Sequence, residues 1–303
     1  MIPTLILVSV MVFALMRLIP GDAATLQIGD DSSAARVEAL RESLGLNRPA
    51  YVQYFSWLGD VVRLDFGESL QTRQPVSASL ARAVPVSAQL ALLAFAVSAV
   101  IGVGLGLISS ASQNSLGDYA ARVIAILGLS VPSFVLGTLF LLLPAMWFGW
   151  FPPLGYIPLW ENPTQSLIQF TLPALTIGYR SSGVTARMVR SSMLEILRQD
   201  YIRTARSKGL TYGRIYTTHA LKNAAIPVIT IMGTQVGSLL GGALISETIF
   251  GLPGVGRLFI ESVADRDYPV IQAAVLFMAL AVVVMNLVVD VIYAVVDPRI
   301  RYS

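Results

Sequence analysis

The sequence predicts an all-α membrane protein with six transmembrane helices, and three observations predict it. Charge is scarce, since 21 Lys+Arg and 18 Asp+Glu make up only 13% of 303 residues, against about 25% in soluble domains. The charges are also clumped, which leaves charge-free windows at 83–117, 123–160, 162–179, 223–246 and 268–289, plus a shorter one at 1–16. Finally, a mean hydropathy of +0.69 fits repeated crossings, each of which takes about 20 apolar residues for a hydrocarbon core about 30 Å thick. A soluble enzyme, a disordered chain and a nucleic-acid binder are excluded, because the net charge of +3 resides in loops between apolar spans. The absence of cysteine removes disulfides, thiolate metal sites and thiol catalysis together.

The spans fall at about 1–20, 86–110, 119–148, 167–190, 224–248 and 270–296. Between the fourth and fifth lie Arg187, Arg190, Arg198, Arg203, Arg206, Lys208, Arg214 and Lys222 against only Glu195 and Asp200, so this loop is cytoplasmic by the positive-inside rule. An even number of spans then puts both termini inside, and the tail with Arg299 and Arg301 agrees. The chain accordingly divides into a first helix (1–20), an extracytoplasmic helical segment (21–85), and a five-helix core (86–303) with a cytoplasmic loop at 191–223. A signal peptide is the competing reading of the first span; it lacks a basic n-region, and Asp22-Ala23-Ala24 is a poor cleavage site. The missing basic lead before Ile2 leaves open a natural start upstream of Met1.

The outer segment reads as two amphipathic helices. Asp31, Ser32 and Ser33 are N-cap candidates, Val37, Leu40 and Leu44 repeat at helical spacing, and Gly45 ends the first helix. Asn47 caps the second, Pro49 suits its first turn, and Val52, Phe55, Leu58 or Val62 form its apolar face. The pair forms a small outer cap or simply packs over the span ends.

The basic cytoplasmic segment, from Gln199-Asp200-Tyr201-Ile202-Arg203-Thr204-Ala205-Arg206-Ser207-Lys208-Gly209-Leu210 to His219-Ala220-Leu221-Lys222-Asn223-Ala224-Ala225-Ile226-Pro227, reads as helix, break, helix. Leu197, Tyr201 and Ala205 share a face, and Gly209 lets the chain turn. Two uses fit these residues. The apolar face lays itself into a groove of a soluble partner, or the positive loop lies against anionic headgroups.

This stretch resembles the coupling motif, the EAA loop, of ABC importer permeases, with Gly209 and Ile226-Pro227 at its fixed positions and Arg203-Thr204-Ala205 in place of the name-giving triplet. Arg in place of Glu is the form usual in the dipeptide/oligopeptide branch. Ile2-Pro3-Thr4, Arg17-Leu18-Ile19-Pro20-Gly21-Asp22, Leu44-Gly45-Leu46-Asn47-Arg48-Pro49, Asp65-Phe66-Gly67-Glu68-Ser69 and Pro75-Val76 resemble the same branch. So do Glu247-Thr248-Ile249-Phe250, Pro253-Gly254-Val255-Gly256, Asp267-Tyr268-Pro269 and Asp297-Pro298-Arg299-Ile300-Arg301-Tyr302. The whole chain is therefore similar to the B-type permease subunit of peptide, glutathione and nickel ABC importers of the bacterial inner membrane, with the type I importer permease fold.

The resemblance implies a homologous second permease, two cytoplasmic ATPase subunits and an extracytoplasmic substrate-binding protein, all assembled in a lipid bilayer. It assigns ATPase coupling to Asp200, Tyr201, Arg203, Thr204, Ala205, Arg206, Lys208, Gly209 and Leu210. No cofactor is expected in this chain, ATP and magnesium belonging to the ATPases, and no G-x-x-x-x-G-K-[ST] phosphate loop occurs. Peptide, glutathione, nickel and opine systems share these motifs, so the substrate stays open. The rivals from other classes are a self-sufficient secondary transporter or channel and a membrane scaffold that recruits a soluble protein. The former usually shows carboxylates within its spans or an internal repeat.

Charges inside spans are costly and point to function. Arg180, in the middle of the fourth span, either faces a pathway and meets a substrate carboxylate or phosphate, or pairs with Asp290 or a partner subunit. Asp290 lies near the cytoplasmic end of the last span, in a wet or paired position. Glu247, Phe250, Pro253 and Gly254 shape an outer gate or docking surface. Gly102 with Gly106, and Gly237 with Gly241, are small-xxx-small packing faces, and Pro132, Pro144 and Pro173 are kinks. The lone His219, without H-E-x-x-H or G-x-S-x-G, supports no hydrolase.

Overall fold

The computed structural model describes residues 2–18, 38, 41–42 and 47–296. The first outer helix, with Asp31, Ser32, Ser33, Val37, Leu40, Leu44 and Gly45, lies outside the described residues but for single positions, and so does the 297–302 tail. Most of the described residues are helical, and the one β-feature among them is an isolated bridge between Glu68 and Pro75.

The helices are α1 (Ile2–Leu18), α2 (Ala50–Val62), α3 (Val76–Ala111), α4 (Leu116–Ser130), α5 (Ser133–Phe148), α6 (Pro163–Leu197), α7 (Asp200–Ser207), α8 (Leu221–Phe250), α9 (Val255–Ala264) and α10 (Tyr268–Val296). They form two compact units, one of residues 1–86 and 253–283, the other of 87–252 and 284–303.

In the first unit α2 docks on α1 through aromatic rings, Phe13 lying 5.5 Å from Tyr54 and 5.7 Å from Trp57, while Ser9 Oγ and Tyr54 Oη share a 2.8 Å hydrogen bond. This docking selects a different face of α2 from the expected one: Tyr54 and Trp57 turn inward, whereas Phe55 and Val62 are exposed. Its cap also differs. Pro49 occupies the N-cap position without a side-chain bond, and Asn47 Nδ2 donates to Glu38 instead. The core of this unit gathers Val76, Leu80 and Ala83 with Val255, Val270, Ala273 and Ala274. Helix α9, absent from the sequence reading, supplies Val255 and buries one face of its ten residues.

The second unit is built around α6. Asn162 caps it by accepting from Gln165 N, and Pro163 fills its first position, where no N–H is missed. Glycines bring its neighbours to backbone contact: a Cβ at Gly102 would lie 2.6 Å from Thr185 Cβ, and one at Gly106 2.5 Å from Val189 Cβ. The 102/106 face is thus a helix–helix seam, as small residues at this spacing allow. On α8 the close residue is Gly242, which meets Ile177, while Gly241 faces open space.

Two described helices, α3 and α10, are long and apolar enough to cross a membrane, and up to four spans result if each bent pair counts as one. The expected third span is such a pair. The chain breaks at Val131-Pro132, and α4 and α5 meet at 106°, because Pro132 cannot donate and restricts the residue before it. Helix α3 begins ten residues before the expected 86 and runs unbroken through Pro85.

Candidate functional site

The basic segment folds into a bracket with a packed underside and an exposed face. Helix α6 stops at Leu197, the chain breaks at Arg198 and Gln199, and α7 starts afresh with Asp200 in its first turn and Arg206 in its last, both favourable to the helix dipole. Gly209 ends it with φ +82. Its N–H donates to Arg206 O at 2.9 Å, and Leu210 N donates to Ala205 O at 3.3 Å, which is the double bond of a Schellman cap. Ile202, Ala205 and Ile215 close a small core under α7, with Leu197 and Leu210 against it.

The break resets the helical phase, so the inward face is Ile202 with Ala205 and not Tyr201 with Ala205. Tyr201 is 44% exposed, its Oη accepting from Asn223 Nδ2 at 2.9 Å. Asp200, Arg203, Thr204, Arg206, Lys208 and Gly209 are exposed too, and Ala205 and Leu210 serve as anchors. The Arg203–Asp200 pair at 3.4 Å is open to water and contributes little to stability.

From this bracket the chain passes through a helical turn at Tyr212–Arg214 and a π-helical turn at Ile215–Ala220 into α8. Tyr216 Oη donates to Leu107 O at 2.7 Å on α3 and also bonds Ser110 Oγ. Ala220 and Ala224 pack with Val189 and Met193 of α6. The bracket is therefore tied to three long helices at once, through a tyrosine the sequence reading did not single out.

Arg180 and Asp290 are both exposed, and the ion pairs among the described residues include none between them. Another arginine of α6 is paired. Asp118, fully buried, accepts from Arg190 Nε at 3.2 Å and Nη2 at 3.1 Å, from Ser109 Oγ at 2.5 Å and from Asn114 N at 2.9 Å. Arg122 Nε stands 3.1 Å from the same carboxylate without hydrogen-bond alignment. This cluster fastens α3, α4 and α6. Arg190 and Asp118 lie 72 positions apart in sequence, so no spacing rule could have joined them.

Glu247 is also fully buried, and Ser87 Oγ donates to its Oε1 at 2.6 Å. Its carbonyl accepts Leu252 N and, at the C-cap, the N–H of Gly251, whose φ is +68. Phe250 and Gly254 are buried and Pro253 is exposed. In the first unit Asp267 plays a similar anchoring part, its carboxylate accepting from Ser69 Oγ at 2.5 Å and Leu70 N at 3.1 Å.

The chain thus combines long glycine-seamed helices with a basic bracket between two of them. Solved structures with this fold include the MetNI methionine ABC transporter in an inward-facing form, at TM-score 0.59 and 17% identity over 72% of this chain and 96% of that one. An amino acid ABC transporter matches at TM-score 0.57 and 17% identity, over 72% and 94%. Sequence places it further. Residues 102–302 match the binding-protein-dependent transport system inner membrane component family, and residues 1–91 match the N-terminal part of such membrane components. A protein of Brucella abortus (strain 2308), named as a candidate peptide transport system permease, is 42% identical over the whole chain and 96% of its own length. The glutathione transport system permease protein GsiC of Escherichia coli (strain K12) is 39% identical over the same shares. The chain belongs to the family of inner membrane components of binding-protein-dependent transport systems: it is a multi-pass ABC importer permease, not a self-sufficient carrier or scaffold.

Proposed function

We propose that the chain forms half of the pathway of an ATP-driven importer for peptides or a related small solute such as glutathione. The substrate class follows from the relatives, which are named for peptides and for glutathione. A homologous second permease supplies the other half, a substrate-binding protein delivers from outside, and two ATPase subunits carry ATP and magnesium in the cytosol. Six crossings with both termini cytoplasmic fit α1, α3, the α4–α5 pair, α6, α8 and α10, because the basic 198–222 stretch then faces the cytosol.

The observation that carries the reading is the bracket: a short helix anchored from beneath by Ile202, Ala205 and Ile215, with its polar face wholly exposed. A part built to transmit force needs a packed base and an accessible surface, and α7 has Ile202, Ala205 and Ile215 beneath it and exposed polar residues above. ATPase closure acts on Asp200, Tyr201, Arg203, Arg206 and Lys208, and passes through Tyr216 and Ala220 to α3, α6 and α8. Arg180 faces the pathway and meets an anionic group of the solute.

Reversing two exposed charges, Arg206→Glu with Lys208→Glu, leaves the buried anchors intact. The expected outcome is normal membrane insertion with binding-protein-stimulated ATP hydrolysis down about tenfold, as juxtaposing like charges at an interface requires. Unchanged stimulation would remove the coupling role.

A further inference from the structure

Between α3, α4 and α6 lies a cleft of about 490 Å³. Its walls combine apolar side chains, such as Leu105, Ile126 and Leu194, with four arginines, Arg122, Arg187, Arg190 and Arg198, and the lining includes no carboxylate. Behind it, Asp118 is taken up by Arg190 and Arg122. Arg187 and Arg198 enter no ion pair among the described residues. Arg122 Nε is buried 3.1 Å from that carboxylate, out of hydrogen-bond alignment. Guanidinium groups that outnumber their carboxylate call for a further anion.

The cleft also has an apolar flank. Ile126, in its wall, is 51% exposed, and Val123, Ile124 and Leu127 stand exposed on the same helix. On a membrane protein such a surface meets acyl chains. Arg198 caps α6 where it enters the basic segment. Basic pockets between membrane helices on this side recognise acidic headgroups.

We propose that this cleft binds one anionic glycerophospholipid of the leaflet next to the basic segment. Its phosphate is held by the arginines, and its acyl chains run along the exposed face of α4. A small free anion would use the arginines but gain nothing from that face.

The test uses the assembled transporter in nanodiscs of about 70% phosphatidylcholine and 30% phosphatidylglycerol, with bound lipids counted by native mass spectrometry. Wild type is expected to retain phosphatidylglycerol in preference to phosphatidylcholine. Arg187→Gln with Arg198→Gln lowers that enrichment about tenfold, while the Lys pair at the same positions keeps most of it, since the charge term persists. The single variant Arg198→Gln, at an exposed position, provides a milder version of the same readout. Equal enrichment in wild type and the Gln variants overturns the proposal, and so does a wild type with no preference, as when protein fills the cleft. Displacement of the lipid by inorganic phosphate at about 50 mM also overturns it, because the acyl-chain contacts would then add nothing.

Discussion

Two sides of α6 meet very different surroundings. On one side Gly102 and Gly106 of α3 press against Thr185 and Val189, and Arg190 closes on the buried Asp118. Elsewhere on the helix Arg180 and Arg187 stand exposed, and Arg187 and Arg198 line one cleft with Arg190. Composition alone would give these arginines one role. The structure separates an internal fastener from charges that face something outside the chain, and in a membrane a charge of the second kind needs a pathway, a lipid or a partner subunit.

The comparison can be broken most severely at the fastener. Arg190→Leu leaves Asp118 buried beside a misaligned Arg122, and removing one partner of a buried pair costs about 3–5 kcal/mol. A sharp loss of thermal stability of the purified complex is expected, with partial recovery in the double variant with Asp118→Asn. The seam comes next. Gly106→Ala places a methyl 2.5 Å from Val189 Cβ and 2.8 Å from Ala186 O, and such overpacking costs about 1–3 kcal/mol, readable in the same melting assay. Helix α3 carries its own control there, since Gly104 has open space at its Cβ and Gly104→Ala should be neutral. The exposed Arg180 gives the smallest structural effect. Arg180→Gln should leave melting unchanged yet lower uptake about tenfold, the loss of one charged contact to the solute. Exchanging Arg180 and Asp290 should not restore it, because the two do not pair in the chain.

How much of this was legible follows the range of each interaction. The 102/106 seam, the cap at Gly209 and the membrane class were readable because each is written in neighbouring residues. The inward face of α7 was not, since a phase counted from Leu197 does not survive the break at Arg198 and Gln199. Helix α9 was hidden behind Pro253 and Gly254, which look like the continuation of a turn and instead precede a helix start. Arg190 reaches Asp118 from 72 positions away, and Asp267 and Glu247 meet Ser69 and Ser87 from 198 and 160 away, beyond any local pattern. Glu247 in particular reads from sequence as part of an outer gate or docking surface, and the structure buries its carboxylate against Ser87.

The central claim is that the exposed face of α7 meets the ATPase. The chain has no cysteine, so Lys208→Cys creates a single reactive position. A short bifunctional cross-linker applied to the assembled transporter should join that position to an ATPase subunit, with a yield that changes between nucleotide-free and ATP-bound states. A thiol that is modified freely by a small reagent in both states, with no adduct to the ATPase and full stimulated activity, would contradict the account.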